Sequence, residues 1–149
     1  MNETQAKILL ASAAKDAGFN VSSPELRPSA FLAQYAPQGW DARWAELVEE
    51  ARQSLDVRMW EGGDLPNGRS APAEAVPGRA YWISAPNGIA IFQYVDSPYA
   101  PETPGLAPGS ASPENVRVAM EAHALDIARS LAQQRMVQDY LEWLAEALL

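Results

Sequence analysis

Apolar residues recur along the first seventeen positions at the spacing of one helix face. Ala6, Leu9, Leu10, Ala13 and Ala17 stand at i, i+3, i+4, i+7 and i+11, so a helix of 3.6 residues per turn brings them to one side. Asn2 is placed to cap it, and Gln5 three residues on completes a capping box. Gly18 is suited to end it, because glycine takes the left-handed conformation that closes many helices. The same spacing returns in Trp44, Leu47, Val48, Ala51 and Leu55, with Glu46, Glu49, Glu50 and Arg52 on the other side. Asp41 is the expected cap of this second helix, with Trp40 and Ala45 as a weak hydrophobic staple. Between the two, Ser23-Pro24 and Ser29 are each placed to open a short helical turn facing Phe31, Leu32 and Tyr35 inward, and Pro28 keeps these pieces short.

The period then changes from 3.6 to two. Val57-Arg58-Met59-Trp60 alternates apolar and charged positions, which predicts a short strand. Tyr81 to Ser84 and Ile89 to Val95 are two β-prone runs joined by Ala85-Pro86-Asn87-Gly88. Pro86 suits the second position of a type I turn with Gly88 supplying the positive φ of a bulge, and a type I′ turn on Asn87-Gly88 is the other option. Both faces of the hairpin carry large apolar groups, Ile89, Ile91 and Val95 on one and Ala90, Phe92 and Tyr94 on the other. Cover on both faces is expected, since a half-solvated sheet alternates more cleanly. In the second long loop Pro98, Pro101 and Pro104 recur every three residues, the period of a polyproline II turn.

Ser112-Pro113-Glu114 opens the last helix with a cap, a proline at the first helical position and an acid in the first turn. No Gly or Pro follows, so residues 113–148 form one long helix or two that meet near His123-Ala124. Two apolar stripes run along it. One holds Val116, Met120, Ile127 and Leu131, the other Leu125, Ala128, Ala132, Met136, Tyr140 and Trp143. The segment 141–149 is very apolar and its charges are acidic, which a helix dipole disfavours near its C-terminal end. Leu144, Leu148 and Leu149 therefore need cover, from the chain's own core or from a partner.

These elements define an α+β fold. It is a helix-rich single domain over residues 1–149, with helices at roughly 3–17, 41–55 and 113–148 and a two- or three-stranded antiparallel sheet built on a hairpin at about 80–95. Long Pro/Gly-rich loops fill about 62–79 and 96–113. A chain of 149 residues is long enough to bury a core without staples.

Charge narrows the partners. The net charge is −8, spread along the chain, and nine of the eleven basic residues are arginine, the others being Lys7 and Lys15. Phosphate backbones and anionic membranes would be repelled, so direct nucleic-acid or membrane binding is not expected, while a basic protein would be attracted. There is no cysteine, no secretory leader and no run long enough to span a membrane, which makes the cytoplasm the expected location.

Candidate chemistry is sparse. His123 is the only histidine and there are no thiols, so no metal or cofactor site is expected. Asp126 three residues on can orient its imidazole, but no serine stands in a nucleophile motif. The Gly-rich segments 61–64 and 66–70 lack the lysine and the strand–loop–helix setting of a phosphate loop. Five tryptophans are many for this length, and tryptophan is enriched at binding hot spots. Trp60 and Trp143, each near the end of an element, are the candidate anchors, together with Tyr140, Leu144 and Leu148 of the last helix.

The expected function is that of a non-catalytic protein-binding module, of the acidic inhibitor, immunity or adaptor type, that occludes another protein. Self-association through the C-terminal helix is a further expectation. The alternative is a structural subunit of a larger assembly such as a phage virion or secretion machine. The second alternative is an enzyme that gathers Arg79, Tyr81, His123 and Asp126.

Overall fold

The computed structural model describes residues 1–97, 105–109 and 111–149. The proline run at 98, 101 and 104 lies outside them. The architecture is α+β. Among the described residues it has four α-helices, one 3-10 turn and one three-stranded antiparallel sheet. The chain forms two compact units, residues 1–51 with 129–149 and residues 52–128.

The first, helical unit begins with α1 (Glu3–Asp16). Its start is the expected capping box: the Asn2 side chain accepts from the Gln5 N–H at 2.8 Å, and the Gln5 side chain accepts from the Asn2 N–H at 2.8 Å. The helix closes on Ala17 and on Gly18 at φ 83°. A 3-10 turn (Pro24–Leu26) leads into α2 (Pro28–Tyr35), and α3 spans Trp40–Gln53. Two expectations change here. Pro28 opens α2 rather than limiting it, because a first-turn residue needs no intrahelical N–H. Helix α3 starts one residue before Asp41, with Trp40 buried, stacked on Trp44 at 5.7 Å, and donating its indole N–H to the Met1 carbonyl at 3.0 Å.

The core of this unit joins Ala6, Leu10 and Ala14 of α1 to Phe31, Leu32, Trp40 and Leu47, with Met136, Tyr140 and Leu144 from the last helix. Phe31 stacks on Tyr35 at 4.8 Å and touches Tyr140 at 5.0 Å and Trp143 at 5.5 Å. Such aromatic pairs add roughly 0.5–1.5 kcal/mol beyond their buried area. The phenol of Tyr140 is fully buried and donates to the Leu26 carbonyl at 2.6 Å, so its polar end is satisfied within the core.

The second unit is built on the sheet β1 (Asp56–Met59), β2 (Ala80–Ser84) and β3 (Ala90–Tyr94), in that spatial order. Val57 pairs with Ile83, and Trp82 pairs with Phe92. The turn takes the first of the two options. The Gly88 N–H donates to the Ala85 carbonyl at 3.0 Å, Gly88 has φ 89°, and Asn87 does not enter the left-handed region. Pro86 decides this, because its fixed φ pre-sets a type I turn. Cover on both faces holds for β2, whose Ala80 to Ile83 are all buried, whereas β3 is half-buried and Ile89 is 57% exposed.

Helix α4 (Pro113–Ala147) is one uninterrupted helix of 35 residues. The Ser112 hydroxyl accepts from the Asn115 N–H at 3.1 Å, as the opening motif predicts. The two expected stripes are corrected to one line of buried residues every fourth position. It holds Val116, Met120, Ala124 and Ala128 in the sheet unit, and Ala132, Met136, Tyr140 and Leu144 in the helical unit. Four residues overshoot a helical turn by about 40°, so the line winds around the helix. Leu125, Ile127 and Leu131 become its half-buried flanks. No helix among the described residues is long and apolar enough to cross a membrane.

Candidate functional site

Helix α1 turns two faces in different directions. Ala6, Leu10 and Ala14 go to the core, each fully buried. The adjoining face carries Lys7, Ile8, Ala11 and Lys15 and forms one wall of an open groove of about 500 Å³. Phe19 and Val21, in the segment after α1, and Arg27, Pro28 and Ser29 at the start of α2 line the rest of it. Ile8 is 66% exposed inside this concavity. A large apolar side chain left open in a groove marks a binding surface more strongly than one on a convex face.

The rim is cationic. Lys7, Lys15 and Arg27 are three of the chain's eleven basic side chains, and they include both lysines. Lys7 is 3.8 Å from Glu3 in an exposed pair, which contributes little. Among the described residues Lys15 and Arg27 make no ion pair. Arg27 stands at the N-cap of α2, which has no side-chain capping hydrogen bond. The positive end of a helix dipole disfavours a cation there and favours an anion. Groove and rim together suit an amphipathic anionic segment.

A second hollow of about 360 Å³ lies beside Tyr35 and Arg43, with Gln34, Gln38 and Glu46 around it. Its polar groups are largely committed to one another. The Arg43 guanidinium lies 4.5 Å over the Tyr35 ring and reaches Glu46 at 3.1 Å, while the Tyr35 hydroxyl donates to Asp139 at 2.6 Å. Burial first, and then the Asp139 carboxylate, push the Tyr35 phenol up to about 12. This network ties α2, α3 and α4 together within the helical unit.

The residues expected to bind a partner are scattered. Tyr140 and Leu144 belong to the chain's own core and are fully buried, and Trp143 packs half-buried against that core, its ring 6.1 Å from Tyr140. Spacing alone could not separate a core stripe from a docking stripe. Trp60 is also half-buried. Its indole N–H donates to the Gly63 carbonyl at 3.1 Å, its ring meets Phe92 edge-on at 5.7 Å, and its backbone pairs with Ala80 and Gly78. Leu148 is 50% exposed and Leu149 is exposed.

Of the four polar residues named for an enzyme, two meet in the sheet unit. The Tyr81 hydroxyl and His123 Nδ1 are 2.7 Å apart, with the rings edge to face. Burial pushes the Tyr81 phenol up to about 12 and His123 down, and the nearby Asp126 carboxylate partly offsets the shift of His123. The Arg79 guanidinium instead donates to the Ala111 carbonyl. Among the described residues no group of three or more His, Asp or Glu side chains is gathered in a way that would hold a metal ion.

The groove escaped the sequence reading because the rest of its lining arrives through the fold of residues 19–29. Its one sequence signal is Ile8, an isoleucine off the apolar stripe and flanked on the same face by the two lysines. No protein-family model, no curated protein and no solved structure matches this chain.

Proposed function

We propose that this chain is a non-catalytic protein-binding module, and that the groove beside α1 receives an acidic amphipathic segment of its partner. The observation that carries this reading is an apolar groove rimmed by three cations on a chain whose net charge is −8. The whole-chain charge favours a basic partner at long range. Contact within about a Debye length answers to the local charge instead. Apolar side chains in the groove would supply affinity, and the rim would orient the segment and reject basic competitors. A helix presenting leucines at i, i+3 and i+4 with glutamates on its flanks has the required chemistry.

Fluorescence anisotropy with such a labelled peptide tests the reading. Saturable binding is expected, weakened about tenfold or more by Lys15→Glu with Arg27→Glu, and weaker in high salt. A peptide with lysines in place of the glutamates is expected not to bind. Equal binding of both peptides, or no saturable binding of either, would overturn the proposal.

A further inference from the structure

The end of α4 carries the chemistry that the groove lacks. Tyr140 and Leu144 anchor this part of the helix in the core, while Glu142 between them, which accepts from the Gln138 side chain at 2.9 Å, and Glu146, Leu148 and Leu149 after them are all exposed. Two exposed carboxylates and two exposed leucines thus share one short stretch whose Leu144 stays in the core. The last turn of α4 has no basic residue. The Glu146 carboxylate in that turn is unfavourable, because the helix dipole already places negative charge there. Arg27 at the N-cap of α2 is the opposite case, a cation at the positive end of a dipole. Each arrangement is unfavourable alone, and each offsets the other if they meet.

We infer that the occupant of the groove is the 142–149 segment of a second copy of this chain. Leu148 and Leu149 fill the apolar groove beside Ile8 and Phe19, and Glu142 and Glu146 face Lys15 and Arg27. The inference rests on the reading of the groove as a protein-binding site and names its partner. The contact is head-to-tail, so it either closes reciprocally into a symmetric oligomer or repeats along an open array. It also links the groove to the assembly-subunit alternative, because such a contact joins like subunits.

Sedimentation velocity of the full chain over a wide concentration range tests it, at about 0.05 M and about 0.5 M salt. Reversible self-association is expected, at least about tenfold weaker at the higher salt. Lys15→Glu with Arg27→Glu removes the receptor, and Leu148→Ser with Leu149→Ser removes the ligand. Each double variant is expected to stay monomeric where the parent associates, with a thermal transition little changed. Leu148 and Leu149 are exposed, and the loss from Lys15→Glu at the C-terminal end of α1 and the gain from Arg27→Glu at the N-cap of α2 oppose each other. If the charge reversal disturbs folding, Lys15→Gln with Arg27→Gln serves in its place.

The decisive sample is the equimolar mixture of the two defective variants. One retains an intact 142–149 segment and the other an intact groove, so the mixture is expected to form a one-to-one complex. A parent chain that stays monomeric throughout would overturn the inference, as would association that survives either double variant, or a mixture that stays monomeric. The acidic probe peptide separates this from a failure of the groove itself. Peptide bound by a monomeric parent chain removes the second copy as partner and leaves the groove as a binding site.

Discussion

Two isoleucines stand open to solvent, one in each unit, and they are not equivalent. Ile8 is 66% exposed in a groove of about 500 Å³ with three cations around it. Ile89 is 57% exposed beside Gly88 at the tip of the hairpin, and its backbone carbonyl closes the turn by accepting from the Ala85 N–H at 2.8 Å. The exposure of Ile89 follows from the turn geometry. That of Ile8 is not required by its helix, whose capping and core face are complete without it. Exposure of an apolar side chain therefore points to function only where concavity and charge accompany it.

The same contrast extends to what holds each unit together. The helical unit relies on a continuous aromatic and aliphatic cluster in which Tyr140 and Leu144 are fully buried. Leu144→Asp strikes its centre and has the largest expected effect, a loss of about 3–5 kcal/mol, because an unpaired carboxylate would replace a buried leucine. Chemical denaturation of the full chain reads it. A variant of unchanged stability would show that 144 is not a core position.

The sheet unit depends more on single backbone positions. Gly105 has φ 88°, and a Cβ there would lie 2.6 Å from the Asn115 carbonyl oxygen of α4. Gly105→Ala is expected to cost roughly 2–4 kcal/mol, combining left-handed strain with a clash against helix backbone that cannot simply rotate away. The largest changes in amide exchange should fall within residues 52–128, and changes confined to α1–α3 would contradict the assignment.

Burial raises three phenols, Tyr35, Tyr81 and Tyr140, and the first two place one alkaline probe in each unit. Tyr35 and Tyr81 both hold their protons up to about 12, against 10.0 in the unfolded chain. Between these values the unfolded state binds fewer protons, so stability is full below about pH 10 and falls as pH rises towards 12. Tyr35→Phe and Tyr81→Phe should each flatten part of that alkaline loss while costing about 1 kcal/mol at neutral pH. An alkaline slope unchanged in both variants would remove Tyr35 and Tyr81 as its cause.

The smallest effect is a gain. Asp96 is the one non-glycine among the described residues with a positive φ, 72°. Asp96→Gly should raise stability by about 0.5–1 kcal/mol by relieving left-handed strain, less the entropy that glycine restores to the unfolded chain. A loss of stability would mean that the aspartate side chain contributes more than its backbone costs.

Features legible in the sequence were those decided within a few residues. The Asn2–Gln5 capping box, the serine cap at Ser112 and the Pro86 turn each follow from side chains acting on adjacent backbone; the two caps form as read, and the turn takes one of the two types the sequence leaves open. The third strand was visible from alternation alone, expected at 57–60 and formed at Asp56–Met59. Long-range features were harder. The apolar pattern of α4 is divided between two stripes in the sequence, but the fold buries every fourth residue, a line that a 3.6-residue template does not isolate. The groove needed the path of residues 19–29 to bring Phe19 and Arg27 into one lining with Ile8. Tyr140, Leu144 and Trp143 show the converse: anchors by residue type, they are spent on the chain's own core, and spacing is the same in either use.

The most direct test of the groove follows the two isoleucines themselves. Isoleucine δ1-methyl NMR spectra, with only five isoleucines to assign, can be recorded while the acidic amphipathic peptide is added. The groove assignment predicts that the Ile8 methyl shifts progressively to saturation while Ile89 stays in place. Movement of Ile89 with Ile8 unchanged would contradict it.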